Sequence, residues 1–444
     1  MDRRDFIKST AAVAVAASAA GELLSAAERM DTRLPSESPD RLIASAPMLQ
    51  NYAETSVGVA FAVNALASGY VLIGRKPDLS DARKVVCGGH RLADIDERVI
   101  LVRLTGLAPA TRYYYRIGAD RIHYGGGYDM KVTGNEEDPR VHSFVTAGKR
   151  LKQSSFCVIN DTHARWEAIG HILDRIERLS PSCVVWNGDA CNTEETVDSQ
   201  VRIFLDHPLQ RKDYAAEIPY LLCPGNHDLR GFANRHLEKV WMYRPMEERS
   251  VRDWDLGRNF AVRMGDIALV GLDTGEDKLD TNPIFAGLFK SEPYREAQRE
   301  WLKDALQRPD IKESPYIVAF CHIPIFDDDP SHNPGDIAPA DYDPAYTTDY
   351  AYWQRTCYRL WEPLLEEAGC QLVVTAHIHR FRYYEPGPGH SWAQIVGGGP
   401  SMKDPDYPTV IEGWTECGEL RIRVHNIFTG EVQGNYSFKP KTRV

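Results

Sequence analysis

Five short apolar runs stand out between residues 156 and 374, and a polar block follows each. They are Phe156-Cys157-Val158-Ile159, Cys183-Val184-Val185-Trp186, Pro219-Tyr220-Leu221-Leu222-Cys223, Tyr316-Ile317-Val318-Ala319-Phe320 and Gln371-Leu372-Val373-Val374. Runs of this length and content predict buried strands. Residues 166–179 and 296–306 carry apolar positions at helical spacing, so strands alternate with helices as in an α/β domain. Residues 258–273 hold two strand-like runs around Met264-Gly265-Asp266, a hairpin pattern. Tyr383-Tyr384 and the runs at 393–396 and 420–424 are expected to complete the second sheet.

Residues 45–147 follow a different rhythm, with short strand-like runs at 56–63, 70–73 and 99–102 and turn residues between them at short intervals, which predicts a small all-β unit. The stretch 104–117 is similar to the corner and following strand of a fibronectin type III sandwich, and the likeness implies a tyrosine-corner hydrogen bond by Tyr113. Alternation assigns the successive tyrosines 113, 114 and 115 to core and rim in turn, in preference to ligand stacking.

The first residues place Arg3 and Arg4 before an alanine-rich apolar stretch at 10–20, the pattern of a twin-arginine export signal. Residues 1–28 are therefore expected to be removed, and the protein to be periplasmic or secreted. The apolar stretch is too short to span a membrane, so no transmembrane segment is expected in the mature chain. A net charge of −11 argues against extended nucleic acid as partner, since proteins that track phosphates carry basic stripes. Four of the nine cysteines, Cys157, Cys183, Cys223 and Cys321, sit in the apolar runs and are expected to be buried thiols. An acidic insert at 327–343 is expected to be a solvated loop, with an active-site rim or calcium loop as the alternative.

The polar blocks behind the five runs carry the chemistry. They are Asp161-Thr162-His163, Gly188-Asp189, Gly225-Asn226-His227-Asp228, His322 and His377-Ile378-His379. All supply oxygen or nitrogen donors, which suit manganese, iron or zinc in an open site. In α/β sheets ligands gather beyond the carboxyl ends of strands, so the five blocks are expected at one rim. In this order the blocks resemble the calcineurin-like metallophosphoesterases, and the likeness spans most of residues 152–444.

The resemblance implies a four-layer α/β fold, two mixed sheets flanked by helices, behind an immunoglobulin- or fibronectin-like β-sandwich. It implies one metal held by Asp161, His163 and His379, a second held by Asn226, His322 and His377, and Asp189 bridging the two. It further implies attack on phosphorus by a metal-bound hydroxide, with His227 as acid and Asp228 orienting it. Asn226, Arg230 and Arg380 are the expected substrate contacts, with Arg235 and His236 as further cations.

Small phosphomonoesters are the expected substrates. Phosphodiesters of nucleotides, lipid headgroups or cell walls stay open as an alternative, as does a binding protein in which the metals are structural. Two departures from related patterns stand out. Asn192 occupies the place where purple acid phosphatases carry a tyrosine ligand, while His163 is a ligand they lack. Ala376 replaces the usual glycine before the last histidine pair, which puts the path of that loop in question.

Overall fold

In the computed structural model, which describes residues 41–88, 92–152, 154–207, 213–244, 250–251, 253–326, 349–387, 389–404 and 407–441, the alternating amino-terminal stretches are strands. They are β1 (Met48–Gln50), β2 (Val57–Ala62), β3 (Ala67–Gly74), β4 (Arg83–Val86), β5 (Val99–Leu104), β6 (Arg112–Gly126), β7 (Asp129–Glu137) and β8 (His142–Val145). Next come β9 (Ser155–Ile159), helix α1 (Trp166–Leu179), β10 (Cys183–Trp186), helix α2 (Val197–Phe204) and β11 (Tyr220–Leu222). A short pair, β12 (Ser250–Val251) and β13 (Trp254–Asp255), precedes β14 (Phe260–Met264) and β15 (Ile267–Leu272). Helices α3 (Ser291–Gln307) and α4 (Pro309–Lys312), strand β16 (Tyr316–Cys321) and helix α5 (Asp349–Ala368) follow. The remainder is β17 (Leu372–Thr375), β18 (Arg382–Tyr384), β19 (Ala393–Val396), β20 (Thr409–Glu416), β21 (Glu419–Asn426) and β22 (Val432–Phe438). The export-signal segment and the acidic insert lie outside the described residues. Among the described residues no helix is long and apolar enough to cross a membrane.

Period-2 alternation sorts each strand's side chains between layers. Phe156, Val158, Cys183, Val185 and Leu221 face one way and meet Val262, Leu269, Val318, Phe320 and Val374 of the opposing sheet. Their neighbours Cys157, Ile159, Val184, Trp186 and Leu222 face the other way, onto Ile169, Ile172 and Ile176 of α1 and Phe204 of α2. On the far side Val270, Leu272, Ile317, Ala319 and Val373 pack against Trp301 and Leu302 of α3 and Trp353 and Trp361 of α5. The result is the expected helix–sheet–sheet–helix stack. Burying each large apolar side chain contributes about 1.5–3 kcal/mol, so the two sheets form a stiff platform for the loops at their ends.

One sheet runs β22-β21-β20-β9-β10-β11-β1-β2-β5, the other β14-β15-β16-β17-β19-β18. The hairpin of β14 and β15 turns at Gly265, whose φ of 60° suits glycine. One expectation is corrected. The run at 420–424 belongs to the first sheet, because β20 pairs antiparallel with β9 and brings β21 with it. Leu420, Ile422 and Val424 then fill the inter-sheet core.

The amino-terminal strands make a sandwich with its own core, in which Val59, Phe61, Val71, Val102, Tyr115 and Ile117 meet. Yet β1, β2 and β5 are also the last three strands of the nine-stranded sheet, with β1 parallel to β11. The reverse faces of these strands, Met48, Ala60 and Ala62, complete the core under α1 and α2. Residues 42–444 accordingly form one compact unit. The Tyr113 hydroxyl accepts from Ala108 N at 2.9 Å, the expected corner bond. Tyr113 and Tyr115 are core and Tyr114 is half-buried, and the Tyr115 hydroxyl donates to Ala216 O at 2.6 Å. All nine cysteines are unpaired, and only Cys417 is exposed.

Candidate metal centre

Strands β9, β10 and β11 are parallel neighbours in one sheet, and β16 and β17 are parallel neighbours in the other. Their carboxyl ends deliver the five polar blocks to one place. The loops leave the strands abruptly, because five candidate ligands have left-handed backbone: φ is 46° at Asp161, 44° at His163, 50° at Asp189, 71° at His377 and 58° at His379. Non-glycine residues rarely adopt this conformation, which costs about 1–2 kcal/mol each and clusters at functional sites. Hydrogen bonds between the loops hold it in place. Asp161 N donates to Gly188 O at 3.0 Å, His163 N to Asp189 O at 2.9 Å and Ala376 N to His322 O at 2.7 Å. Ile378 N reaches back to Ala376 O at 2.8 Å, which makes a γ-turn with His377 at its apex. Ala376 is fully buried and has no left-handed strain of its own, so its methyl group is accommodated in this path.

The donors fall into overlapping groups: Asp161, His163 and His379; Asp189, His322 and His377; and His163, Asp189 and His227. Asp189 Oδ2 lies 3.5 Å from His163 Nε2 and 3.1 Å from His322 Nε2, so this carboxylate stands between the first two groups. Asp161 Oδ1 is 3.4 Å from His379 Nε2 and 3.7 Å from His322 Nε2. The Asn226 side-chain oxygen Oδ1 sits 3.1 Å from His377 Nδ1. His322 Nδ1 donates to Asn187 O at 2.9 Å, which fixes the tautomer and turns the Nε2 lone pair towards the carboxylates.

Lone pairs and carboxylates facing one another repel unless a cation or proton lies among them. Asp161 Oδ1 and His322 Nε2 are buried without a hydrogen-bond partner, and His163 Nε2 faces His379 Nε2 at 3.1 Å. With protons alone to fill the gap, burial lowers the His322 imidazole but Asp189 and Asp161 outweigh it and push it up to about 10. Burial holds His163 down to about 4 against the pull of Asp189, and burial with the neighbouring His322 does the same to His377. His163 and His377 are thereby neutral, the state in which imidazoles bind metal, and the proton drawn onto His322 marks a place where the carboxylates call for a cation. The donor set therefore fits a pair of ions.

Two expected roles change. Asp228 does not orient His227: its carboxylate accepts from Cys191 N at 2.9 Å and Gly225 N at 2.8 Å, bracing the two loops around the site. Burial and the charge of Asp189 push this carboxyl up to about 7. The His227 ring is held instead by Asn192 O at Nδ1, 3.1 Å away, and by Arg230 Nη1 at Nε2, 3.0 Å away. Arg230 is also committed, forking onto Glu276 at 2.7 and 2.6 Å. Arg380 follows His379 at the exposed rim. Arg235 lies in a separate hollow with Tyr243 and Arg258, and His236 pairs with Glu238 at 3.3 Å.

Four residues that the motifs do not contain complete the surroundings. Asn160 Nδ2 donates to Asp161 Oδ2 at 2.8 Å and to Gly398 O at 3.0 Å. Asn187 Nδ2 ties the ends of β16 and β17 by donating to Cys321 O and Val374 O. Glu276 and Asp277 lie on the loop after β15, with Asp277 Oδ2 3.7 Å from His377 Nε2. A polar residue ending an apolar run was the available signal for Asn160 and Asn187; the loop carboxylates had none.

The family model for calcineurin-like phosphoesterases matches residues 154–381, more than half of the chain. A purple acid phosphatase from yellow lupin seeds is similar in structure, with a TM-score of 0.60 at 11% identity, covering 89% of this chain and 75% of that one. A dimetal phosphatase from Danio rerio aligns with a TM-score of 0.42 at 13% identity, covering 65% of this chain and 99% of that one. No curated protein sequence matches the chain. Motifs, layers and family match agree: the chain belongs to the calcineurin-like phosphoesterases and is a metal-dependent hydrolase of phosphate esters.

Proposed function

We propose that this enzyme hydrolyses small phosphomonoesters outside the cytoplasm, using two ions of manganese, iron or zinc. One observation carries the dinuclear reading: two groups of donors, Asp161 with His163 and His379 and Asp189 with His322 and His377, lie side by side with Asp189 also in reach of His163. Asn226 joins the second group through its contact with His377. Bound there, two ions supply positive charge for a phosphate ester and acidify water.

The chain's own residues do the rest. Asp161 and Asp189 contribute the negative charges of the ligand set, so two divalent ions would leave a surplus of positive charge for an anionic ester. His227, at the edge of the cluster, is the proposed proton donor to the leaving oxygen. Its Nδ1 faces a carbonyl and therefore carries a proton, while Nε2 accepts from Arg230; donation to substrate from Nε2 thus requires Arg230 to give way and Nε2 to take up a proton first. The acidic balance of the chain supports small esters over nucleic acid. The twin arginines at the start of the chain support the export assignment.

Phosphodiesters are a second reading, which the pairing of Arg230 with Glu276 and Asp277 favours. A monoester dianion needs cations beyond the metals, and this guanidinium is already neutralised. Turnover of p-nitrophenyl phosphate and of its bis ester, with metal content by mass spectrometry, tests both readings. Preference for the monoester supports the first and preference for the diester the second. Metal-loaded protein that cleaves neither ester overturns both. Asp189→Ala is expected to remove nearly all turnover; wild-type rates in that variant would mean that Asp189 is no bridge.

A further inference from the structure

We propose that Asp277 is a positioning residue for the metal centre, holding the His377 ring so that its Nδ1 faces the donor cluster. The inference rests on the phosphoesterase reading and extends it to a loop that no motif marks. The two nitrogens of His377 look in opposite directions. Nδ1 lies 3.1 Å from Asn226 Oδ1, on the cluster side, and Nε2 lies 3.7 Å from Asp277 Oδ2. That second separation is longer than a hydrogen bond, so the carboxylate acts on the neutral ring through its charge, favouring the tautomer with the proton on Nε2. A ligating histidine commonly turns its other nitrogen to a carboxylate, which fixes the ring and raises its basicity.

Asp277 is itself held in place. Its carboxylate contacts Lys278 and, at 3.4 Å, Arg230 Nη2, and its backbone N–H donates to Glu276 Oε1 at 3.1 Å. The loop is pinned from behind by buried Arg295, which donates to Thr274 O at 3.2 Å and Glu276 O at 2.8 Å. Trp353 Nε1 donates to Thr274 O at 3.0 Å. Arg230, gripped by Glu276, reaches His227 Nε2 with its other nitrogen. One loop thus holds two histidines from different blocks, His377 directly and His227 through Arg230.

The test is Mn²⁺ binding by isothermal titration calorimetry on metal-stripped wild type, Asp277→Asn and Asp277→Ala, with melting temperatures and the Mn²⁺ dependence of kcat. The expected result for Asp277→Asn is an affinity for one of the two ions weakened roughly 10–100-fold at an unchanged melting temperature, with kcat recovering as Mn²⁺ is raised. If Asp277→Ala does not fold, the near-isosteric Asp277→Asn decides alone. Two ions bound equally well by wild type and Asp277→Asn overturn this inference and leave the phosphoesterase reading standing. A wild-type chain that takes up no metal overturns both.

Discussion

Adding one methyl group at Gly188 should disable the enzyme from the far side of a ligand. A Cβ built at this position lies 2.3 Å from His322 Nδ1 and 2.5 Å from its Cγ, where ordinary contact begins at 3.4 Å. The His322 ring is fully buried and cannot swing into solvent. Relief therefore requires the ring to move by about 1 Å, a displacement of the size that costs roughly 100-fold in rate when it falls on a catalytic group. The shift also breaks the 2.9 Å bond from His322 Nδ1 to Asn187 O, which frees the ring to choose the wrong tautomer. Stability falls too, since alanine at a φ of 84° costs about 1–2 kcal/mol and the lost hydrogen bond about another 1 kcal/mol. The assay is kcat for p-nitrophenyl phosphate at saturating Mn²⁺, with bound metal counted in the same samples. A Gly188→Ala enzyme that keeps wild-type kcat and two bound ions would refute the packing argument.

Three further perturbations follow from the structure. His227→Ala should slow esters with poor leaving groups far more than activated aryl esters; equal losses across a leaving-group series would rule out its role as acid. Tyr113→Phe leaves Ala108 N without its partner and should lower the urea midpoint by an amount equivalent to about 1 kcal/mol, and an unchanged midpoint would show that the corner bond contributes nothing. Burial, with a smaller push from Arg202, lowers His207 from 6.5 to about 3. On acidification the unfolded chain then binds this proton first, so stability present above pH 6.5 should be lost progressively towards pH 3. Comparing His207→Gln with wild type by thermal melts across that window should show a flatter loss in the variant; parallel curves would count against the assignment.

The donor cluster was legible because each polar block follows an apolar run, and a parallel strand can deliver its polar end only to the rim of its sheet. The helices at 166–179 and 296–306 were legible for a similar reason, since their apolar stripes match the layer they cover. Strand partnership was not. Alternation in β2 or β21 states that two faces exist but not which sheet lies beside them, so the sharing of β1, β2 and β5 and the return of β20 to β9 appear only in three dimensions. The bracing role of Asp228 has no sequence signature because its partners are backbone amides, which every residue carries. Glu276 and Asp277 were invisible because a loop carboxylate with no fixed spacing looks like solvated surface.

The shared sheet also bears on how the chain is made. Gln50, at the end of β1, donates through its side chain to Val240 O, 190 positions further along, and accepts from Met242 N. Early strands must therefore wait for late sequence before their edge is closed, a long-range pairing that slows folding. A ribosome-bound fragment ending near residue 200 would carry the β1 edge bare, with the partner strand β11 not yet made. The sandwich is in this sense synthesised before the sheet it joins and among the last parts to be finished, and an enzyme cut at residue 150 would lose a third of its main sheet along with it.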